Sequence, residues 1–342
     1  GYEEIALLSL SSSDYTNVLE LTEKIGQRFG HLGLNISLPS LRIESVSTQL
    51  MDNLGDSKRG GFTLAPEAAT ERMRNIINKY VTQDELLETA REIYRRNWRT
   101  IKLYFMIGHP NETLEDVQAI ADLAKLVLAE GRKFHGNKAG VNVGVSTFIP
   151  KPHTPFQWEP MGTIDDLYAK VALIKDQIRG NGLRLRWNPP QESIYEGFLA
   201  RGDRRVAEVV ERAWRKGAKF DAWKEHFDES QWYESFAEVG LDPYFYTHRQ
   251  RTIDEIFPWE HIDVAVTKRF LTQDYLMSQK GETRIDCRDQ CFACGILPKL
   301  VDLRRETADD AWLCPPVSSI AKRKKARSQR ISLDSIEATA GQ

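Results

Sequence analysis

The stretch IKLYFMIGHPNETLEDV (residues 101–117) decides the fold. Ile101 to Ile107 is the clearest strand of the chain, an almost unbroken apolar run. Gly108 to Thr113 reads as a loop, and Leu114 to Ala129 as an amphipathic helix. Thr113 or Asn111 offers an N-cap, with Glu115 or Asp116 in the first turn. Strand, loop and helix therefore follow one another with no hairpin signal between them.

The same unit recurs on both sides. Ile5 to Leu10 is a short apolar run, followed by Ser11-Ser12-Ser13-Asp14 as N-cap chemistry. Helical spacing follows in Val18, Leu21, Ile25 and Phe29, closed by Gly30 and Gly33. Leu34 to Leu38 is a second strand, with a helix over 45–54. Gly61 to Leu64 is a third, with helical pieces over 69–77 and 83–96. Val141 to Phe148 precedes a proline-rich loop and a helix over 164–179, and Leu183 to Trp187 is one more strand. Such alternation predicts an α/β fold with a parallel sheet and right-handed crossovers. Function in such sheets gathers at the carboxyl ends of the strands.

Composition narrows the function classes. The chain has 342 residues, 41% of them hydrophobic, with 47 basic against 49 acidic side chains. That balance excludes wholesale disorder and a basic coat for non-specific nucleic-acid binding. No apolar run approaches the roughly 18 residues that would span a membrane. Beyond residue 190 aromatic residues become dense and strand signals fade. We expect a barrel portion over 1–190, a helical extension over 191–280, a cysteine module over 281–317, and a disordered basic tail over 318–342. The chain opens on Gly1 and runs directly into a strand, so we expect a piece of a longer protein cut on its N-terminal side.

Three loops and one cysteine cluster carry candidate chemistry. Glu67 falls at the carboxyl end of the third strand, where a carboxylate can accept two hydrogen bonds from a vicinal diol. It can equally belong to the first turn of the next helix. Gly108 permits close backbone approach to a flat ligand. His109 reads as structural. Pro150, Pro152 and Pro155 stiffen the loop after the fifth strand. Cys287, Cys291 and Cys294 have C-x3-C-x2-C spacing, with Cys314 as a fourth thiol. Thiols this close suit an iron–sulfur cluster or zinc in a reducing compartment.

Together these segments resemble the radical S-adenosylmethionine (SAM) superfamily, and within it a bacterial group carrying a cobalamin-binding domain. The resemblance rests on SLSSSDY (9–15), SLPSLRIES (37–45), FTLAPEAATERMRNIINK (62–79), IKLYFMIGHPNETLEDV (101–117), STFIPKPHTPFQW (146–158) and DCRDQCFACG (286–295). It implies a partial (βα)6 TIM-like barrel, strands 2–6, with a mostly helical, cysteine-containing extension. It implies a cytoplasmic enzyme that binds SAM and a 4Fe–4S cluster and draws electrons from a donor such as flavodoxin or ferredoxin. The reaction would be a radical-based modification, a methyl or sulfur transfer.

The resemblance also assigns residues. Glu67 becomes the ribose contact and Lys79 the partner of the SAM carboxylate. Ile107, Gly108 and Pro110 become the adenine-facing motif, and Ser11 takes the place of the motif that meets the SAM amino group. The ligands of the radical cluster, and any cobalamin, would lie upstream of Gly1, so this piece alone would not cleave SAM. Its open sheet edge predicts aggregation. Cys287, Cys291, Cys294 and Cys314 would then hold an auxiliary cluster or zinc. The competing expectation is a non-catalytic scaffold whose zinc knuckle and basic tail dock on RNA.

Overall fold

A computed structural model describes residues 2–9, 12, 15–37, 48–53, 61–223, 225–287 and 289–307. Four strands form a parallel sheet in sequence order: β3 (Phe62–Glu67), β4 (Thr100–Ile107), β5 (Gly140–Thr147) and β6 (Leu183–Trp187). A second parallel pair, β1 (Glu4–Ala6) and β2 (Asn35–Ser37), stands apart from it. The fold is therefore α/β and parallel, consistent with a partial TIM-like radical SAM fold. Five of the six strands lie where the sequence places them; β1 is shorter than the run expected over Ile5 to Leu10, ends at Ala6, and is exposed. Counting β1 as the second barrel strand, β6 stands one position beyond the sixth.

The strands alternate strictly. On one face Phe62, Leu64, Ile101, Leu103, Phe105, Ile107, Val141, Val143 and Val145 are buried. They pack against α4 (Gln83–Arg95), α5 (Leu114–His135) and α6 (Ile164–Gln177) through Leu86, Ile93, Val117, Leu123, Val127, Leu167 and Ile174. The helices share one face because the strands follow in sequence order and every crossover has the same hand, the arrangement of a βα barrel wall. The other face stays partly open.

The helix starts follow capping chemistry. Thr113 caps α5, and Asp116 returns a bond to the Thr113 N–H at 2.9 Å, a capping box. Thr82 and Glu85 do the same for α4. The N-cap expected of Ser11 to Asp14 is corrected for α1 (Val18–Phe29). Its N-cap is Asn17, with no side-chain cap bond, and the described member of the quartet, Ser12, donates instead to the Leu7 carbonyl at 2.8 Å. That hydroxyl sits too far from the helix start to serve it. Ser11 lies outside the described residues.

Beyond β6 the chain is helical: α7 (Pro190–Arg201), α8 (Val206–Lys216), α9 (Glu229–Val239), α10 (Pro243–Thr247) and α11 (Lys268–Ser278). Tyr195, Phe198, Val209, Trp232, Phe236 and Tyr246 make a second core. A third, of Trp158, Phe257, Trp259 and Leu271, joins the loop after β5 to this extension. Two short helices, α12 (Ile296–Lys299) and α13 (Val301–Glu306), follow the cysteines. Cys314 and the tail lie outside the described residues. No helix among the described residues is long and apolar enough to cross a membrane.

Candidate functional site

The loop after β3 begins with a break in regular strand geometry. The register between β3 and β4 shifts between Leu64 and Glu67. Pro66 cannot donate to the ladder, and Glu67 has φ +64°, rare for a residue with a Cβ. The kink leaves the Glu67 carboxylate half-buried at the end of the open face. It is not a helix-capping group, because α3 (Glu71–Ile76) is capped by Thr70, three residues later.

Lys79 returns to Glu67 from the far end of the same loop. Its ammonium stands 3.6 Å from the Glu67 carboxylate and donates to the Ala65 carbonyl. Burial pushes the Glu67 carboxyl above its ordinary value, and Lys79 opposes that shift. The two residues therefore form one charged pair at the carboxyl end of β3.

A buried arginine braces this loop. Arg74 is 1% exposed. Its Nη1 donates to the carbonyls of Ala68 and Ala69 at 3.1 and 2.8 Å, and its Nε donates to that of Val81 at 2.6 Å. It thus clamps both ends of the segment that carries Glu67 and Lys79. In the sequence ATERMRNI nothing separates Arg74 from a solvated helix face, so it was not legible there.

The loop after β4 is fixed by a second set. Gly108 has φ +85°, and a Cβ there would meet Leu167 at 2.9 Å. The left-handed backbone and the packing against α6 both favour glycine at 108, independently of any ligand. The Gly108 N–H donates to Glu112 at 2.8 Å, and Glu112 pairs with Lys170 of α6 at 3.0 Å. Burial pushes the Glu112 carboxyl up, with Lys170 opposing. The Ile107 side chain is buried and its carbonyl accepts from the Phe148 N–H at 2.8 Å. Pro110 is half-buried. Asp116 joins the two loops, accepting from Thr70 at 2.6 Å and from Arg72.

His109 sits between these loops, 5% exposed, its ring 4.8 Å from that of Phe148. Among the described residues neither ring nitrogen makes a hydrogen bond of regular geometry, although the Glu67 backbone lies close by. Burial pulls its pKa down to about 4, with the Glu67 backbone partly offsetting, so the imidazole is neutral at physiological pH. A carboxylate, an ammonium and a buried imidazole thus share one end of the sheet. That donor set suits a ligand with hydroxyls, a carboxylate and a flat polar ring.

The extension closes over this mouth. Asn111 bonds Gln279 at 3.0 Å, and Glu159 accepts from Tyr275 at 2.7 Å and Gln279 at 3.0 Å. The Arg284 N–H donates to Asn78 at 3.0 Å, and Tyr80 bonds Thr283. A cleft of about 290 Å³ remains between Ile76, Asn78, Phe156, Met277 and Arg284. Arg284 also lies over Phe270 and Phe292, at 5.3 and 4.7 Å, which carries the cysteine segment to the same end.

The cysteines themselves are less organised. Cys287 is exposed, and Cys291 and Cys294 are half-buried free thiols. The Ala293 N–H points to the Cys291 sulfur at 3.4 Å. Among the described residues no three His, Cys, Asp or Glu side chains gather closely enough to hold a metal ion.

Comparison with known proteins gives two findings. A relative in Methanocaldococcus jannaschii, an uncharacterized protein, is 31% identical over 210 residues, 61% of this chain and 43% of its own length. The chain thus spans less than half the length of that curated relative. Residues 1–124 match the family model described as the Radical SAM superfamily. That segment includes Glu67, Lys79, Gly108 and Glu112, so the similarity to the radical SAM superfamily falls on the strands that build this mouth.

Proposed function

We propose that the chain is the C-terminal part of a cytoplasmic radical SAM iron–sulfur enzyme that binds SAM at the mouth between the loops after β3 and β4. The observation that carries this reading is the Glu67–Lys79 pair, 3.6 Å apart at the carboxyl end of β3 within the matched segment. The Glu67 carboxylate accepts hydrogen bonds from the ribose hydroxyls. The Lys79 ammonium faces the SAM carboxylate, and Ile107, Gly108 and Pro110 line the adenine. Bound SAM supplies, on one-electron reduction, the radical that starts the reaction. The protein's own part is to hold the cofactor and exclude water beneath the α11 cover.

The same reading places the ligands of the radical cluster, and any cobalamin, upstream of this chain, with flavodoxin or ferredoxin as reductant. It makes the reaction a methyl or sulfur transfer. Cys287, Cys291 and Cys294, with Cys314, become ligands of an auxiliary 4Fe–4S cluster or of zinc. The N–H directed at the Cys291 sulfur supports this, since backbone hydrogen bonds to ligating sulfurs accompany such centres.

The test uses the full-length protein, reconstituted anaerobically with iron and sulfide. It should release 5′-deoxyadenosine from SAM when reduced. Glu67→Gln should weaken SAM binding about tenfold, the loss of one charge-assisted hydrogen bond. No deoxyadenosine from the native protein, together with unchanged SAM affinity in the variant, would overturn the assignment. Iron with acid-labile sulfide, against one zinc, decides the C-terminal centre.

A further inference from the structure

Parallel sheets are normally covered on both faces. Here the face opposite α4, α5 and α6 is polar and cationic. The register places Thr63, Lys102, Asn142 and Arg184 in one row, and Tyr104, Gly144 and Arg186 in the next. Arg184 and Arg186 are exposed, and Lys102 is half-buried with its stem over Gly61. None of the three has an ion pair or hydrogen bond among the described residues. Neither row contains an acidic side chain. Elsewhere most basic residues of the barrel portion are paired, as Arg91 is with Glu88 and Glu130.

Three cations on one sheet face, unpaired among the described residues, repel one another unless an anion joins them. Adjacent strands lie about 4.8 Å apart and alternate residues of one strand about 6.7 Å apart, so three long side chains can converge on one ligand. Beside them Tyr104 lies across Gly144, where a Cβ would meet its ring at 2.7 Å, and remains 47% exposed. The glycine lets the ring lie flat on the sheet with one side free. A flat aromatic surface beside unpaired cations suits a base attached to phosphates.

We propose that this inner face binds the phosphates of the substrate, with Lys102, Arg184 and Arg186 as the anion contacts. This deepens the reading above by naming a substrate class, compounds with at least two phosphates, and rests on the mouth at the top of the same sheet being the SAM site. The shared chemistry is a diphosphate, and Tyr104 distinguishes a nucleoside diphosphate from a bare one.

Isothermal titration of the full-length protein with inorganic pyrophosphate and with ADP tests it. Both should bind, more weakly as salt rises. Arg184→Gln and Arg186→Gln should each weaken both about tenfold, whereas Arg132→Gln, on the outer surface, should change neither. Tyr104→Leu should weaken ADP alone if the natural ligand is a nucleotide, and neither probe if it is a simple diphosphate. The exposed arginines can be replaced without opening the core, and circular dichroism confirms that the variants are folded. No binding of either probe, or binding equal in the arginine variants and the native protein, would overturn the proposal. SAM affinity, measured in parallel, is expected to be unchanged by Arg184→Gln and Arg186→Gln. Its loss in Glu67→Gln bears on the mouth alone, so the two assignments fail separately.

Discussion

The loop after β3 and the cysteine segment reach the same end of the sheet and are built in opposite ways. The first is clamped from within. Arg74 holds three carbonyls, Asp116 gathers Thr70 and Arg72, and Glu67 accepts a strained backbone so that its carboxylate faces the open side. The second is held by a few contacts at its edges: Thr283 and Arg284 on the barrel, and the Thr267 N–H on the Cys294 carbonyl at 2.8 Å. The difference teaches where each region gets its order. The barrel loop is shaped by the fold, whereas the cysteine segment has few contacts of its own to shape it.

The sharpest way to break that contrast is Arg74→Met. It removes the donor for Ala68, Ala69 and Val81 while keeping most of the volume. Three carbonyls then stay buried without a partner, which costs about 3 kcal/mol or more. Thermal unfolding should fall by several degrees. The Glu67–Lys79 pair should loosen, read as weaker SAM binding in the full-length protein. A variant as stable as the native chain would show that the loop does not depend on its clamp.

His109 gives the next largest effect, and it depends on pH. Its folded pKa, about 4, lies below the unfolded value near 6.5. The fold therefore favours neutral imidazole. That contribution is complete above about pH 6.5 and is lost as pH falls toward 4, to a total of about 3 kcal/mol. Stability measured by denaturant across this window should show the acid limb in the native protein and a shallower one in His109→Leu. Equal slopes would place the proton elsewhere.

Much of the barrel was legible because parallel strands and their helices carry strong apolar periodicity. Thr113 was readable as a cap for the same local reason. The clamp was not. Arg74 lies in a helix of ordinary polar appearance, and its burial depends on carbonyls six residues back and seven ahead. The positive φ of Glu67 follows from a shift in register that no local pattern records. Lys79 came only from the resemblance, and its distance to Glu67 only from the fold. The cap expected at Ser11 to Asp14 misled because serines supply cap chemistry wherever they occur, whether or not a helix starts beside them.

A smaller effect sharpens the comparison on the β4 side. Thr113→Ala removes the hydroxyl that accepts the Asp116 N–H at 3.3 Å and donates to its carboxylate at 3.0 Å. Loss of such a cap costs about 1 kcal/mol. Asp116 keeps Thr70 and Arg72, so the link between the two loops should survive. Urea unfolding should show the shift, with little change in SAM affinity.

The smallest effect falls on the cysteines and tests the other half of the contrast. In metal-free protein Cys287→Ser replaces an exposed thiol and should change stability by less than about 0.5 kcal/mol. With iron and sulfide, or with zinc, the native chain should gain stability, because a ligand that binds only the folded form shifts the equilibrium toward it. Cys287→Ser and Cys291→Ser should each remove most of that gain. A large loss in the metal-free state would mean that these side chains already carry structural weight. No gain on adding either metal would mean that the segment takes its order from the barrel after all, and the two regions would then differ in degree only.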